Sequence, residues 1–351
     1  MHGVSRLADL GWSPWFEARF ANYDQEGRVP GRVVAGFGTA FTVATEHGDL
    51  RASITGRLRH EAASAASLPA VGDWVVLKAR AIQAVLERRT SLSRKAASEV
   101  AEQQVMVANV DRVCIVSAVV DDFNPRRLER YLAIVWDGGA SPVIVLTKAD
   151  LAPSIDALID QVSGLAPGVP VLACSAVTGQ GIETLRQQFV AGETAVLVGS
   201  SGVGKSSLIN RLIGQGTLPT NTLRRDGRGR HTTTNRELLV LPGGGMLIDT
   251  PGLRELQLWA DQESLDQVFD DVRQLATRCR FNDCRHEAEP DCAVRQALAD
   301  GSLAPERFAG YRKLEREVRS LAVRADHRLR LEESKKWRAI NRAGQQRARP
   351  G

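Results

Sequence analysis

Apolar and polar positions along the first hundred residues fall into short runs separated by glycines and polar turns. Arg32-Val33-Val34, Ala40 to Ala44, Leu50 to Leu58 and Val71 to Leu77 are rich in β-branched and aromatic side chains, and His47-Gly48-Asp49 reads as a turn. Such runs suit half-buried strands. Roughly five of them in this length suit a small barrel, of OB type or SH3-like. The pattern then changes. Arg112 to Val119 is strand-like, and Asn124-Pro125 opens a helix that runs to about Trp136, with Asn as the cap and Pro at the first helical position. Strand Val143 to Leu146, helix Ile155 to Val162, strand Val171 to Cys174, helix Ile182 to Phe189 and strand Ala195 to Val198 follow. A glycine-rich loop, a helix to Leu212 and a strand ending at Asp249 complete the series. Strands alternating with helices predict a parallel α/β sheet. The remainder is helical in pattern. The expected division is a β-barrel over 1–100, an α/β domain over 101–261 and a helical domain over 262–351.

The chemistry sits where the predicted strands end. Gly199-Ser200-Ser201-Gly202-Val203-Gly204-Lys205-Ser206, with Ser207 after it, follows a strand and opens a helix. Glycines there let successive N–H groups curl around phosphate oxygens, and the helix N-terminus adds partial positive charge. Lys205 is expected to reach the β and γ phosphates, and the Ser206 hydroxyl to ligate Mg²⁺. Thr147-Lys148-Ala149-Asp150 and Cys174-Ser175-Ala176 select guanine. The Asp150 carboxylate can accept from guanine N1–H and the N2 amino group, the Lys148 stem can cover the base, and the Ala176 N–H can donate to O6. Adenine lacks that donor pair. These motifs also lie at the carboxyl edge of the sheet, where α/β proteins bind ligands.

Downstream, Asp249-Thr250-Pro251-Gly252 is a D-x-x-G switch. Asp249 is expected to hold Mg²⁺ through water, and the Gly252 N–H to sense the γ-phosphate. Between the two motifs, Gly216 to Asn235 is polar and basic and contains His231-Thr232-Thr233-Thr234. One threonine should ligate Mg²⁺ in the GTP state; Thr233 is favoured, with no decisive reason over its neighbours. Leu253 occupies the place where Ras-like enzymes carry the Gln that orients water. Slow intrinsic hydrolysis follows, with His231 as the candidate group that positions the water. The catalytic candidates are therefore His231 and Lys205. A P-loop ATPase or kinase would leave the guanine motif unexplained, and a vestigial nucleotide site would not keep Lys205, Ser206 and Asp249.

Charge and cysteines add the flanks. The formal net charge is +5, and Arg324 to Gly351 holds nine Lys/Arg against three acidic residues, a distribution suited to a nucleic-acid backbone. Cys114 and Cys174 lie in apolar strand-like runs and read as core residues. Cys279-x4-Cys284-x-His286-x5-Cys292 has the donor set of a closed, structural Cys₃His zinc site for one ion. No apolar run approaches the roughly 18 residues of a membrane span, and Arg6, Asp9, Glu17 and Arg19 interrupt the N-terminal segment. A cytoplasmic protein is expected.

The guanine motif precedes the phosphate loop, the reverse of the Ras-like order. In that order, with Val107 to Asp111 at the domain entry, Arg228-Gly229-Arg230-His231 before the threonines, and the Cys279 to Val294 cluster, the chain resembles the small-ribosomal-subunit-dependent GTPase A family of bacteria. The resemblance covers nearly the whole length. It implies an N-terminal OB-fold, a central circularly permuted Ras-like P-loop GTPase domain and a C-terminal helical zinc domain. It also implies GTP hydrolysis to GDP stimulated by the 30S subunit, a role in late 30S maturation, binding to 16S rRNA and a monomer without membrane association. Permutation places Asp249 to Gly252 a few residues before the helical domain, so a γ-phosphate-dependent movement there is expected to pass into it.

Overall fold

The computed structural model describes residues 6–24, 27–37, 39–62, 64–95, 103–120, 122–214, 236–249 and 262–325. His231, Thr233, Gly252, Leu253, the connection into the helical domain and the basic tail lie outside the described residues. The chain divides into two compact units. One comprises Met1–Arg94 with Gln104–Gln257, the other Lys95–Gln103 with Leu258–Gly351.

The first unit begins with helices Arg6–Asp9 and Pro14–Phe20, which the strand-like pattern does not foreshadow. Five strands then close a barrel: β1 (Arg28–Phe37), β2 (Ala40–Thr45), β3 (Gly48–Ile54), β4 (Trp74–Lys78) and β5 (Ala81–Val85). β1 pairs antiparallel with both β2 and β4, β2 with β3, and β4 with β5, while β3 runs parallel to β5. This is a five-stranded barrel of OB type. Trp74, Val75, Val76 and Leu77 are all buried. A strand with one wet face would alternate; this one is covered on both faces, because Trp74 packs against Trp12 at 4.7 Å and Phe16 at 5.6 Å, ring centroid to centroid. The run expected from Leu50 to Leu58 stops at Ile54. Thr55 turns the chain, its side chain accepting a 3.2 Å bond from the Leu58 N–H and capping helix Gly56–Glu61. β5 supplies the fifth strand from Ala-Ile-Gln-Ala-Val, a weak pattern on its own.

Strands β6 (Ser91–Lys95) and β7 (Gln103–Ala108) form a separate ribbon. The α/β part holds β8 (Arg112–Ala118), β9 (Ser141–Thr147), β10 (Val171–Cys174), β11 (Thr194–Val198), β12 (Arg236–Val240) and β13 (Met246–Asp249). Their spatial order is β10-β9-β8-β11-β13-β12. The first five are parallel and β12 is antiparallel to β13. Asn124 caps helix Pro125–Asp137 through a 3.1 Å bond from the Arg127 N–H, as the sequence suggests. The helix expected from Ile182 to Phe189 ends at Arg186.

The sheet does not stop at β12. That strand pairs antiparallel with β1 of the barrel, Ala35 opposite Glu237 and Gly36 opposite Arg236. Barrel and α/β part therefore share one hydrogen-bonded sheet. Two residues seal the joint. Gly72, at φ +96°, lies so close to β7 that an added Cβ would stand 2.0 Å from the Ala108 carbonyl oxygen. Arg32, 2% exposed, reaches across from β1. Its guanidinium donates to the carbonyls of Leu10, Gly72 (3.3 Å) and Asn109 (3.2 Å), and to Thr194 Oγ1 (2.7 Å). Burial, partly offset by Asp111 and Asp73, pushes its pKa down to about 10.

The second unit is helical: Gln262–Val268, Asp270–Ala276, Ala293–Asp300 and Pro305–Ala325. Buried Phe269 anchors it, edge-on to Tyr311 at 5.6 Å and beneath the Arg307 guanidinium at 4.3 Å.

Candidate functional site

The register of the parallel strands gathers the motifs. Cys174 lies opposite Thr147, Thr147 opposite Ala118, Val198 opposite Ile115, and Val196 opposite Ile248. The guanine motif, the Ser175 loop, the phosphate loop and Asp249 thus all leave the carboxyl ends of β9, β10, β11 and β13. Motifs separated by a hundred residues in sequence come to one edge because parallel strands end on the same side.

The phosphate loop begins at Gly199, whose φ of +143° suits glycine and whose Cβ would stand 2.2 Å from the Val116 carbonyl oxygen of β8. Gly204, also left-handed at φ +101°, precedes helix Lys205–Ile213. Lys205 folds over the loop, its Nζ donating to the carbonyls of Gly199 (2.7 Å) and Ser200 (2.6 Å). Ser206 and Ser207 lie in the first helical turn with exposed side chains. Ser200, Ser201 and Gly202 form the outer arc, while Val203 is buried beneath it. Thr147 Oγ1 donates to the Val203 carbonyl at 2.5 Å and so ties the guanine motif to the phosphate loop. Lys148 adopts a left-handed conformation, φ 57° and ψ 37°, which turns the chain into the short 3₁₀ turn Ala149–Leu151 that carries Asp150. A hydroxyl on this helix turn and a carboxylate at a strand end, Ser206 and Asp249, are hard oxygen donors of the kind Mg²⁺ takes.

Ser175 is fully buried, and the loop after it closes on itself. The N–H groups of Ser175, Thr178, Gly179 and Gln180 donate to the Gln180 carbonyl, Ser175 Oγ, the Ser175 carbonyl and Thr178 Oγ1. Among the described residues, those of Ala176 and Val177 have no acceptor within the protein. Cys114 and Cys174 are core residues, as expected: burial pushes their pKa values up to about 12 and about 11, so both remain neutral thiols.

In the second unit Cys279, Cys284, His286 and Cys292 place their donor atoms within 4.8 Å of one another. Cys279 Sγ lies 3.8 Å from Cys292 Sγ and 3.6 Å from His286 Nδ1, and His286 Nδ1 lies 3.3 Å from Cys292 Sγ. A tetrahedral zinc ion with ordinary bond lengths needs about 3.8 Å between sulfurs and about 3.6 Å from sulfur to nitrogen. The donor set therefore fits zinc in type and spacing. The turns that bring the donors together use left-handed backbone at His286 (φ 60°) and Asp291 (φ 55°). Glu289 closes the intervening loop. Its own N–H and those of Arg285, Glu287 and Ala288 hold its carboxyl pKa down to about 2.

Known proteins agree with this architecture. The RsgA GTPase family model matches residues 85–259. The small ribosomal subunit biogenesis GTPase RsgA of Opitutus terrae is 45% identical, with 95% of each chain covered. The protein of that name from Streptomyces coelicolor is 42% identical over 99% of this chain and 97% of its own. Among solved structures, YjeQ from Thermotoga maritima aligns with a TM-score of 0.62 at 29% identity, over 83% of this chain and 98% of that one. YloQ, a circularly permuted GTPase, aligns at 0.59 and 27% identity, over 85% and 97%. With relatives above 40% identity along nearly its whole length, the chain belongs to the RsgA family of GTPases, which are GTP hydrolases.

Proposed function

We propose that this protein acts in late biogenesis of the small ribosomal subunit, binding 16S rRNA within the 30S particle and hydrolysing GTP under its stimulation. The observation that carries the reading is the convergence of guanine motif, phosphate loop and D-x-x-G strand on one sheet edge, with β12 hydrogen-bonded to an OB-type barrel. OB barrels track nucleic-acid strands, and the names of the relatives point to the small subunit. The three functional divisions are residues 1–100, 101–261 and 262–351. The protein works as a cytoplasmic monomer; among the described residues no helix is long and apolar enough to cross a membrane.

Within the site, Asp150 accepts from guanine N1–H and N2, Lys148 covers the base, and the Ala176 N–H meets O6. Gly199 to Ser207 wrap the phosphates, and Lys205 contacts the β and γ groups. Ser206, Asp249 and Thr233 hold Mg²⁺, directly or through water. When bound, that ion neutralises charge on the β and γ phosphates. His231 orients the attacking water, and the Gly252 N–H reports the γ-phosphate. One zinc ion braces the helical domain through Cys279, Cys284, His286 and Cys292.

The deciding experiment is GTP hydrolysis measured with and without purified 30S subunits. The rate should rise in their presence and association should weaken steeply with salt; a rate indifferent to the particle would overturn the ribosomal reading and leave the nucleotide chemistry intact.

A further inference from the structure

We infer that Arg211 is a specificity-determining positioning residue, one that clamps the Ser175 loop so that its Ala176 N–H is held ready for guanine O6. The inference rests on the guanine reading of that loop. Arg211 lies in the last turn of helix Lys205–Ile213, the helix that starts at the phosphate loop. Its Nε donates to the Ala176 carbonyl at 2.7 Å and its Nη2 to the Val177 carbonyl at 3.0 Å. A guanidinium holding two successive carbonyls at these distances restricts both peptide planes at once, which a single point donor cannot do.

The clamped pair is the pair left over. The loop spends four N–H groups on its own closure, and the two that remain belong to Ala176 and Val177. Arg211 therefore fixes the carbonyl side of the residues whose N–H side stays available to a ligand. The Gly179 N–H, on the Ser175 carbonyl, holds the peptide that carries the Ala176 N–H, and Arg211 holds the two peptides after it, so Ala176 is anchored from both sides. Thr147 has one hydroxyl hydrogen, and it goes to Val203 in the phosphate loop. The Ser175 N–H, held by Gln180, secures only the entry to the loop. Arg186 braces the clamp from behind, its Nη2 donating to the Arg211 carbonyl at 3.2 Å while Nη1 pairs with Glu183 at 2.5 Å. One helix thus presents phosphate donors at its start and orders the base-reading loop from its last turn. Free in solution, an unclamped loop would sample other peptide orientations, and binding guanine would cost the entropy of ordering it.

The clamp predicts a selective loss. Dissociation constants are measured by competition against a fluorescent GDP for GDP, for 6-thio-GDP, where sulfur is a weaker acceptor at the O6 position, and for IDP, which lacks the N2 amino group. The wild-type protein should prefer GDP to both. Arg211→Ala, an exposed position whose replacement leaves the core intact, should weaken GDP by about 3- to 10-fold. It should shrink the GDP/6-thio-GDP ratio by a comparable factor and leave the GDP/IDP ratio, set by Asp150, unchanged. Equal weakening of all three, or no change in any, would overturn the positioning role. A wild-type protein indifferent to 6-thio substitution would instead bring down the O6 reading of Ala176, and the inference with it.

Discussion

Replacing Arg32 tests the joint between barrel and α/β part. Its guanidinium, on β1, joins the N-terminal segment, the β7–β8 turn and the starts of β11 and β13, through Leu10, Gly72, Asn109, Thr194 and a 3.2 Å contact to Met246 Sδ. Removing it leaves the Leu10 and Asn109 carbonyls without another donor among the described residues, whereas Gly72 keeps the 3.1 Å bond from Asn109 Nδ2. Each orphaned carbonyl costs about 1–3 kcal/mol. The charge is itself a burden: with its pKa pushed down to about 10, holding it there costs on the order of 3 kcal/mol at neutral pH. Arg32→Met removes bonds and burden together while filling the space, so the two carbonyls' cost less the relieved burden leaves a net change between about 1 kcal/mol gained and about 3 kcal/mol lost. Arg32→Ala adds an empty cavity and should cost roughly 2 kcal/mol more. Trp74, 5.5 Å from the guanidinium, and Trp12 beside it report the site directly. The assay is denaturant unfolding followed by tryptophan fluorescence. If the alanine and methionine variants unfold at the same midpoint, packing is not what the side chain supplies; if both match the wild type, the joint does not depend on Arg32.

Other substitutions address the nucleotide and metal sites. Gly199→Ala puts a methyl 2.2 Å from the Val116 carbonyl at a left-handed φ, so GDP affinity should fall by more than about 30-fold, given about 2–5 kcal/mol of strain and displacement; calorimetric titration giving a loss under threefold would contradict that close approach. Thr147→Val keeps the shape and deletes the donor to Val203. About 1–3 kcal/mol should be lost, divided between thermal stability and GDP affinity, and a variant normal in both would show that the tie is idle. Purified protein should carry one equivalent of zinc, lost in Cys292→Ala together with part of the helical circular dichroism signal, because Cys292 is both a donor and the residue preceding helix Ala293–Asp300. Metal analysis giving a full equivalent in that variant would argue against the four-donor site.

How much of this was legible in the chain depends on how local the physics is. The phosphate loop, the guanine motif and the Cys₃His cluster were readable because glycine freedom, donor type and ligand spacing act within a few residues. Asn124 and Pro125 announced their helix for the same reason. Leu50 to Leu58 reads as one strand because the apolar pattern continues past Ile54, while the Thr55 cap turns the backbone into a helix. β5 and the two N-terminal helices carry too little local pattern to be read: Ala-Ile-Gln-Ala-Val is a weak strand alone, and the aromatic residues of Pro14–Phe20 acquire meaning only against Trp74.

The sequence by itself determined the order of the motifs, the identity of their donors and the alternation of strands and helices, because these follow from short-range periodicity and side-chain chemistry. Only the tertiary structure decided which strands become neighbours. It closed the barrel through β1 and β4, and it laid β12 between the Asp249 strand and the barrel. It also brought Arg32 into a buried joint and Arg211 onto the Ser175 loop. Strand pairing and buried polar contacts link residues more than two hundred positions apart. Their free energy depends on what the rest of the chain places opposite them, and no local pattern records that.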